Sequence, residues 1–281
     1  MATLGLVAGS GVLPRLVAAA ARSAGHRVVL AAHVGETDPE TAAAGDEVHW
    51  VRLGQLGRIL GAFEAAGVQQ VCFAGGIRKL RFFRDARPDA VALKVLARVP
   101  WARGDDALLR AIAGEFERAG MAVVAATEIA PSLLPPAGVL GRRRPSRAQR
   151  RDAALGLSVL ETLGELDIGQ AVVVKDGVVL AVEAAEGTDA CIERGARLGG
   201  GAVVVVKAPK PGQDLRFDLP SVGPQTVARL ADSGGGALAV VAGRTVVLER
   251  EAMLAQADAA RIPVFAIEAA APGMPSRGTG R

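Results

Sequence analysis

The feature that most constrains the fold is an alternation of short apolar runs with helical patterns over residues 1–130. The apolar runs predict strands at Leu4–Ala8, Arg27–Val34, Val68–Ala74 and Met121–Thr127. Gly67 and Gly120 stand where two of the intervening helices are expected to end. Apolar strands that alternate with helices predict a parallel sheet covered on both faces. We therefore expect an N-terminal Rossmann-like α/β domain over residues 1–130.

Residues 131–147 interrupt this alternation and are predicted to be a linker. Prolines are dense there, at Pro131, Pro135, Pro136 and Pro145. A basic run begins in the same segment and comprises Arg142, Arg143, Arg144, Arg147, Arg150 and Arg151. These arginines either contact phosphates or anionic lipid head groups, or form a solvated surface.

The second half predicts another α/β domain, over residues 148–281, with a mixed sheet. Its first helix is expected at about residues 148–166. Asp176-Gly177 separates two apolar runs, Ala171–Val174 and Val178–Val182, which is a strong signal for a β-hairpin. Further strands are expected at 202–207, 237–241 and 264–267, with a helix at about 188–198.

The composition excludes several functional classes. Lys plus Arg exceeds Asp plus Glu by only four charges, aromatic residues make up 3% and Tyr is absent, so neither a basic face nor a stacking platform for nucleic acid is expected. Two cysteines and three histidines are too few for a Cys-rich zinc module, and free thiols in a reducing compartment are the simplest interpretation. Without an uncharged run of about 18 residues or a secretory signal, the sequence predicts a cytoplasmic protein.

Gly9-Ser10-Gly11 joins the first strand to the first helix, where backbone N–H groups can face a phosphate. A dinucleotide fingerprint requires a further glycine three residues after Gly11, but that position is Pro14, which disfavours a nicotinamide-dependent oxidoreductase. Gly75-Gly76 closes another strand in the same way. The turn at Gly9-Ser10-Gly11 is either phosphate-facing or simply a tight connection.

Acidic and basic side chains are concentrated after two strands of the second half. The first group comprises Glu183, Glu186, Gly187, Thr188 and Asp189. The second comprises Lys207, Lys210, Asp214, Arg216 and Asp218. Carboxylates that hold Mg²⁺ or orient water, beside cations that offset phosphoryl charge, suit phosphate hydrolysis, although such acids also serve on surfaces and as helix caps. Asp105-Asp106 is either a favourable helix N-terminus or the polar edge of a ligand cleft.

Six segments, in order along the chain, resemble the LpxI-type UDP-2,3-diacylglucosamine pyrophosphatases. They are residues 4–14 (LGLVAGSGVLP), 73–76 (FAGG), 104–110 (GDDALLR), 166–170 (LDIGQ), 183–189 (EAAEGTD), and 207–211 (KAPKP) leading to 216–220 (RFDLP). The resemblance implies a two-domain enzyme of lipid A biosynthesis in a Gram-negative bacterium. It would use Mg²⁺ to cleave UDP-2,3-diacylglucosamine into UMP and 2,3-diacylglucosamine 1-phosphate.

The resemblance also implies residue roles. The essential aspartate of the family lies in the Arg-x-Asp-Leu-Pro segment, which makes Asp218 the catalytic residue and the candidate metal ligand, with Asp214 second and Arg216 beside them. Gly9, Ser10, Gly11, Gly75, Gly76, Asp105 and Asp106 would belong to the nucleotide half. The acids after the hairpin, with Thr188, Lys207 and Lys210, would face the acyl sugar and its phosphate.

Two further expectations concern alternatives and partners. A non-catalytic nucleotide-sugar binding or carrier protein of the same fold is the alternative to an enzyme. We expect peripheral association with the inner membrane, no nucleic-acid partner, and a homodimer, because dimers are the commonest symmetric oligomers.

Overall fold

The computed structural model describes residues 2–77, 86–99, 104–217 and 219–268, with the side chains of residues 104–106 outside the description. The chain forms two compact units. The first comprises Met1–Pro131 and the distant segment Asp214–Asp218, and the second comprises Ser132–Gln213 and Leu219–Arg281. The chain therefore passes from one unit to the other three times.

The first unit is built on a five-stranded sheet of order β3-β2-β1-β4-β5, in which every pairing is parallel. The strands are β1 (Thr3–Ala8), β2 (Arg27–His33), β3 (Glu47–Val51), β4 (Gln70–Ala74) and β5 (Ala122–Val124). This confirms the predicted parallel sheet. The strand order reverses between β1 and β4, and the carboxyl ends of strands at such a point are where α/β sheets gather ligands.

Helices accompany the sheet of the first unit. They are α1 (Leu13–Ser23), α2 (Pro39–Ala43), α3 (Leu56–Ala65), α4 (Ala90–Arg98), α5 (Gly104–Arg118) and α6 (Ala126–Ile129). Phe63 of α3 and Phe116 of α5 are completely buried in a core that also contains Val71. Two local expectations differ from the structure: β3 was not predicted, and the strand expected to continue to Thr127 ends at Val124, where α6 soon begins.

The second unit contains a six-stranded mixed sheet of order β6-β13-β11-β9-β7-β8, which confirms the predicted class. Its strands are β6 (Gly138–Val139), β7 (Ala171–Lys175), β8 (Val178–Val182), β9 (Val203–Lys207), β11 (Gly236–Val241) and β13 (Val264–Ile267). A separate parallel pair joins β10 (Ser221–Val222) to β12 (Val246–Val247). The helices are α7 (Arg147–Gly164), α8 (Thr188–Gly199), α9 (Pro224–Asp232) and α10 (Arg250–Ala259), and a 3-10 turn covers Pro131–Leu133.

Both faces of the second sheet are buried, which explains its runs of valine. In β9, Val204 and Val206 pack in the core that contains Leu160 of α7, whereas Val203 and Val205 pack in the core that contains Ile192 of α8. Strands covered on both faces require apolar residues at every position rather than at alternate ones.

The predicted hairpin of β7 and β8 is confirmed. Its two turn residues, Asp176 and Gly177, both have left-handed backbone angles, with φ of 50° and 77°, as a tight two-residue turn requires. Buried Asp152 of α7 accepts hydrogen bonds from both turn amides, at 3.0 Å and 2.8 Å. The turn is therefore fastened to the helix that packs on the sheet.

Candidate functional site

Three of the predicted polar residues of the second unit, Glu183, Thr188 and Lys207, meet at one edge of its sheet. Strands β8, β9, β11 and β13 run in the same direction and β7 runs against them, so their carboxyl ends lie beside the beginning of β7. Glu183 directly follows β8, Lys207 ends β9, and Gln170 directly precedes β7. Thr188 begins α8, which follows β8 along the chain.

These four residues, hereafter the strand-end cluster (Gln170, Glu183, Thr188 and Lys207), form a continuous chain of hydrogen bonds. The amide N–H of Gln170 donates to Glu183 Oε2 at 3.1 Å. The Thr188 hydroxyl donates to Glu183 Oε1 at 2.8 Å and accepts from Lys207 Nζ at 2.8 Å. The hydroxyl thus links the Lys207 ammonium group to the Glu183 carboxylate at the carboxyl edge of the sheet.

The other predicted residues after β8 and β9 either bond to neighbouring side chains or shape the backbone. Glu186 pairs with Arg194 at 2.5 Å, and this bond holds the pKa of the Glu186 carboxyl below its usual range. Asp189 accepts a bond from Gln225 at 3.2 Å. Gly187 has a φ of 84°, which allows the sharp entry into α8. Lys210 donates to Asp167 Oδ1 at 2.6 Å.

In the first unit, the two glycine turns are bonded to each other. Gly9 N donates to Ala74 O at 2.8 Å, and Ser10 N and Ser10 Oγ donate to Gly76 O at 2.8 Å and 2.9 Å. A Cβ at Gly9 would lie 2.4 Å from Gly76 O, and one at Gly75 would lie 2.5 Å from Ser10 O. The amides of Gly9 and Ser10 are therefore used inside the protein, whereas Gly11 is exposed at the start of α1.

A second polar cluster lies in the first unit and is formed around the segment that returns from the second. We call it the anchor cluster (Arg110, Glu117, Asp214 and Arg216). Arg216 donates through Nε and Nη2 to the two oxygens of Asp214, at 3.0 Å and 2.8 Å, and through Nη1 to Glu117 at 2.9 Å. Arg110 Nε lies 3.7 Å from Asp214 Oδ2.

This arrangement determines the charge state of Asp214. The side-chain bond from Arg216 lowers the pKa of the Asp214 carboxyl, and the same ion pair raises the pKa of the Arg216 guanidinium. Both groups are charged at neutral pH. A carboxylate whose two oxygens are held by one guanidinium, with a second guanidinium close by, is poorly disposed to bind a metal ion.

Several predicted residues lie outside the described part. Asp218 lies there, as do the side chains of Asp105 and Asp106, which begin α5. Among the described side chains, no group of three or more His, Cys, Asp or Glu residues is placed to hold a metal ion. The described residues therefore do not form a dedicated all-protein magnesium cage.

The basic run beginning at Arg142 lies at the opposite edge of the second sheet. Asp152, near the beginning of α7, binds the hairpin turn that follows β7, whereas the end of α7 at Gly164 contacts Pro211 in the loop after β9. The helix has 18 residues, and at 1.5 Å per residue it separates its first arginines from the strand-end cluster by roughly 25 Å. These arginines do not belong to the strand-end cluster.

The sequence assigns no role to four contributors, Gln170, Arg110, Glu117 and Phe217, although all of them except Glu117 lie in segments that resemble the family. The hydrogen bond from Gln170 to Glu183 comes from its main chain, for which residue type is no guide. Its position directly before a strand was a usable signal. Arg110 and Glu117 lie on a helix about 100 residues from their partners, and no local pattern connects them.

Comparison with known proteins identifies the family. A model of the LpxI N-terminal domain matches residues 3–133, and a model of the LpxI C-terminal domain matches residues 136–265. The chain belongs to the LpxI family. It is 39% identical over 274 residues to a protein of Caulobacter vibrioides (strain ATCC 19089 / CIP 103742 / CB 15) named UDP-2,3-diacylglucosamine pyrophosphatase LpxI. The alignment covers 92% of this chain and 95% of that relative.

Likenesses to solved structures are much weaker and carry no argument. The biotin carboxylase domain of a thermophilic 2-oxoglutarate carboxylase is 12% identical, with a TM-score of 0.29, over 62% of this chain and 35% of that one. A leucoanthocyanidin reductase from Vitis vinifera is 11% identical, with a TM-score of 0.28, over 53% and 41% of the two chains.

No helix in the described part of this family member is long and apolar enough to cross a bilayer.

Proposed function

We propose that this protein hydrolyses the pyrophosphate bond of UDP-2,3-diacylglucosamine, releasing UMP and 2,3-diacylglucosamine 1-phosphate, in lipid A biosynthesis. The observation that carries the proposal is the 39% identity, over nearly the full length of both chains, to the pyrophosphatase of Caulobacter vibrioides. The strand-end cluster supports it, because it holds a lysine ammonium group where α/β sheets gather ligands.

The chemistry requires charge compensation and an activated water. Cleavage of a pyrophosphate moves negative charge onto the leaving phosphate, and a fixed cation stabilises that charge. Lys207 is suited to this role, since Thr188 and Glu183 hold its ammonium group in place. Asp218, in the Arg-Phe-Asp-Leu-Pro segment, would orient the water or take its proton.

We further propose a dependence on Mg²⁺. Magnesium is commonly bound by one or two carboxylates together with substrate phosphates, so Asp218 and the pyrophosphate oxygens would be its ligands. The metal would offset the charge that develops on the phosphoryl oxygens. The glycine turns and Asp105-Asp106 would bind the nucleotide part of the substrate. Glu186, Asp189 and Lys210 would bind its acyl-sugar part.

The substrate also suggests where the protein works. A lipid with two acyl chains resides in a bilayer, so we propose that the enzyme acts in the cytoplasm at the inner-membrane surface, as a homodimer. Sedimentation with liposomes and analytical ultracentrifugation test the two statements separately.

The deciding experiment is UMP release from UDP-2,3-diacylglucosamine in detergent micelles. It compares the wild-type protein with Mg²⁺, the same protein with EDTA, Asp218→Asn, and the control Asp176→Asn. Asp176 is an exposed turn residue with a left-handed backbone that Asn tolerates well. We expect turnover only by the wild-type protein and the control, each with Mg²⁺, and substrate binding retained by Asp218→Asn.

Other results redirect the proposal. Full turnover by Asp218→Asn would show that this residue takes no part in the reaction. Full turnover in EDTA would show that the reaction does not depend on Mg²⁺. Substrate binding without turnover by the wild-type protein would favour the nucleotide-sugar carrier.

A further inference from the structure

We propose that Arg216 and Phe217 are positioning residues, which fasten the segment that carries Asp218 to the first unit through Glu117 and Phe73. This inference rests on the proposed function and deepens it. It concerns how the reacting carboxylate is placed, and it assigns Asp214 and Arg216 to holding the segment rather than to the reaction.

The polar contacts of this segment use all three nitrogens of the Arg216 guanidinium. Nε and Nη2 donate hydrogen bonds to Asp214, two residues earlier in the same segment, and Nη1 donates one to Glu117 on α5. Asp214 also accepts a hydrogen bond from the amide of Arg216 at 3.1 Å. A planar guanidinium bound to two carboxylates has a defined orientation, which a lysine ammonium cannot reproduce.

The apolar contacts of the segment form a ladder of four aromatic rings, those of Phe217, Phe73, Phe116 and Phe63. Phe217 meets Phe73 of β4 edge to face, with ring centroids 5.6 Å apart. Phe73 meets Phe116 in the same way at 5.7 Å, and Phe116 lies 6.0 Å from Phe63. Since Phe116 and Phe63 are completely buried, the ladder connects the segment to the core of the first unit. The Arg216 guanidinium lies 5.0 Å from the Phe217 ring centroid and joins the polar contacts to the apolar ones.

The consequence concerns Asp218, which directly follows Phe217 in the sequence. The C-terminal family model spans residues 136–265 and so includes Asp218, yet the residues directly before it pack in the first unit. A reacting group must be held close to its productive geometry, and a displacement of about 1 Å can cost about 100-fold in rate. Loosening the fastening should therefore lower kcat more than it raises KM.

The test compares two carboxylates on the same helix. Glu117→Gln removes the charge that binds Arg216, whereas the control Glu115→Gln removes a charge that binds Arg98 and Arg118, outside the anchor cluster. We expect kcat for UMP release to fall about tenfold in Glu117→Gln, with KM within about twofold, and no more than about a twofold change in the control. Thermal unfolding of Glu117→Gln should hardly change, because partly exposed ion pairs contribute little to stability.

Two further readouts separate positioning from general damage. Arg216→Lys should lower kcat, and adding Glu117→Gln to it should lower kcat little further, because both changes break the same bond. Hydrogen exchange should be faster in the peptide that covers residues 214–217 in Glu117→Gln but not in Glu115→Gln.

Unchanged kcat together with unchanged exchange in Glu117→Gln would overturn the inference. So would a rise of KM alone, which would place Arg216 in substrate binding. If the wild-type protein releases no UMP, the proposed function fails, and the exchange measurement still decides whether the segment is fastened.

Discussion

The strand-end cluster and the anchor cluster both combine acidic with basic side chains, but they are assembled in different ways. Lys207 and its partners stand at the ends of neighbouring strands and are joined by hydrogen bonds through one hydroxyl. Arg216 and its partners come from a helix and from a segment about 100 residues away, and they are joined by ion pairs beside an aromatic ladder. Regular strands place the first cluster, whereas long-range packing places the second.

The largest expected effect contrasts two lysines that end antiparallel strands at opposite edges of one sheet. Lys207 belongs to the strand-end cluster, whereas Lys175 donates to the carbonyls of Gly199 and Gly201, at 2.6 Å and 2.9 Å. We expect Lys207→Met to lower kcat/KM for UMP release about 10²- to 10³-fold with little change in stability.

Lys175→Met should affect stability rather than turnover. It should lower the free energy of unfolding by about 2 kcal/mol and leave kcat/KM within about twofold. Equal losses of turnover in both variants would show that the two edges of the sheet are not functionally distinct.

A smaller effect tests how tightly the strand-end cluster is built. Gly169 has a φ of 60°, and a Cβ there would lie 2.1 Å from Glu183 O. Gly212, at φ of 70°, has open space around the same position. In urea unfolding followed by circular dichroism, Gly169→Ala should cost about 3 kcal/mol and Gly212→Ala about 1 kcal/mol. Equal costs would mean that the backbone beside Glu183 moves aside readily.

The smallest effect distinguishes the two units by pH, because His26, His33 and His49 all lie in the first. His33 is buried, with Nδ1 2.9 Å from Ala8 O, and burial lowers the pKa of its imidazole. Between that lowered pKa and the unfolded value of about 6.5, the unfolded chain binds more protons. The stability of the first unit should therefore fall as pH drops below about 6.5, by at most about 1.4 kcal/mol per pH unit.

Tryptophan fluorescence measures this effect selectively, since Trp50 and Trp101 both belong to the first unit. Urea midpoints at pH 7.5 and 5.5 should differ for the wild-type protein and for the control His49→Gln. They should converge for His33→Gln. A wild-type midpoint that is the same at both pH values would contradict the assignment.

Much of the fold could be predicted because the responsible signals are local. The turn at Asp176-Gly177 and the valine runs of β7 and β9 predicted their elements within a residue or two. Strand β3 was missed because Glu47-Val48-His49-Trp50-Val51 mixes polar and apolar residues, and its pairing with β2 determines its conformation. The two-residue strand β6, within the range expected to be linker, likewise exists through its pairing with β13.

By itself, the sequence determined the alternating elements, the family and the candidate residues, because periodicity, turn chemistry and family motifs are carried by neighbours along the chain. Only the tertiary structure decided what those residues do to one another. It joined Lys207 to Glu183 through Thr188, and it placed Arg216 between Asp214 and Glu117. The physical reason is that a contact between residues about 100 positions apart depends on how whole elements pack, and no local pattern encodes that packing.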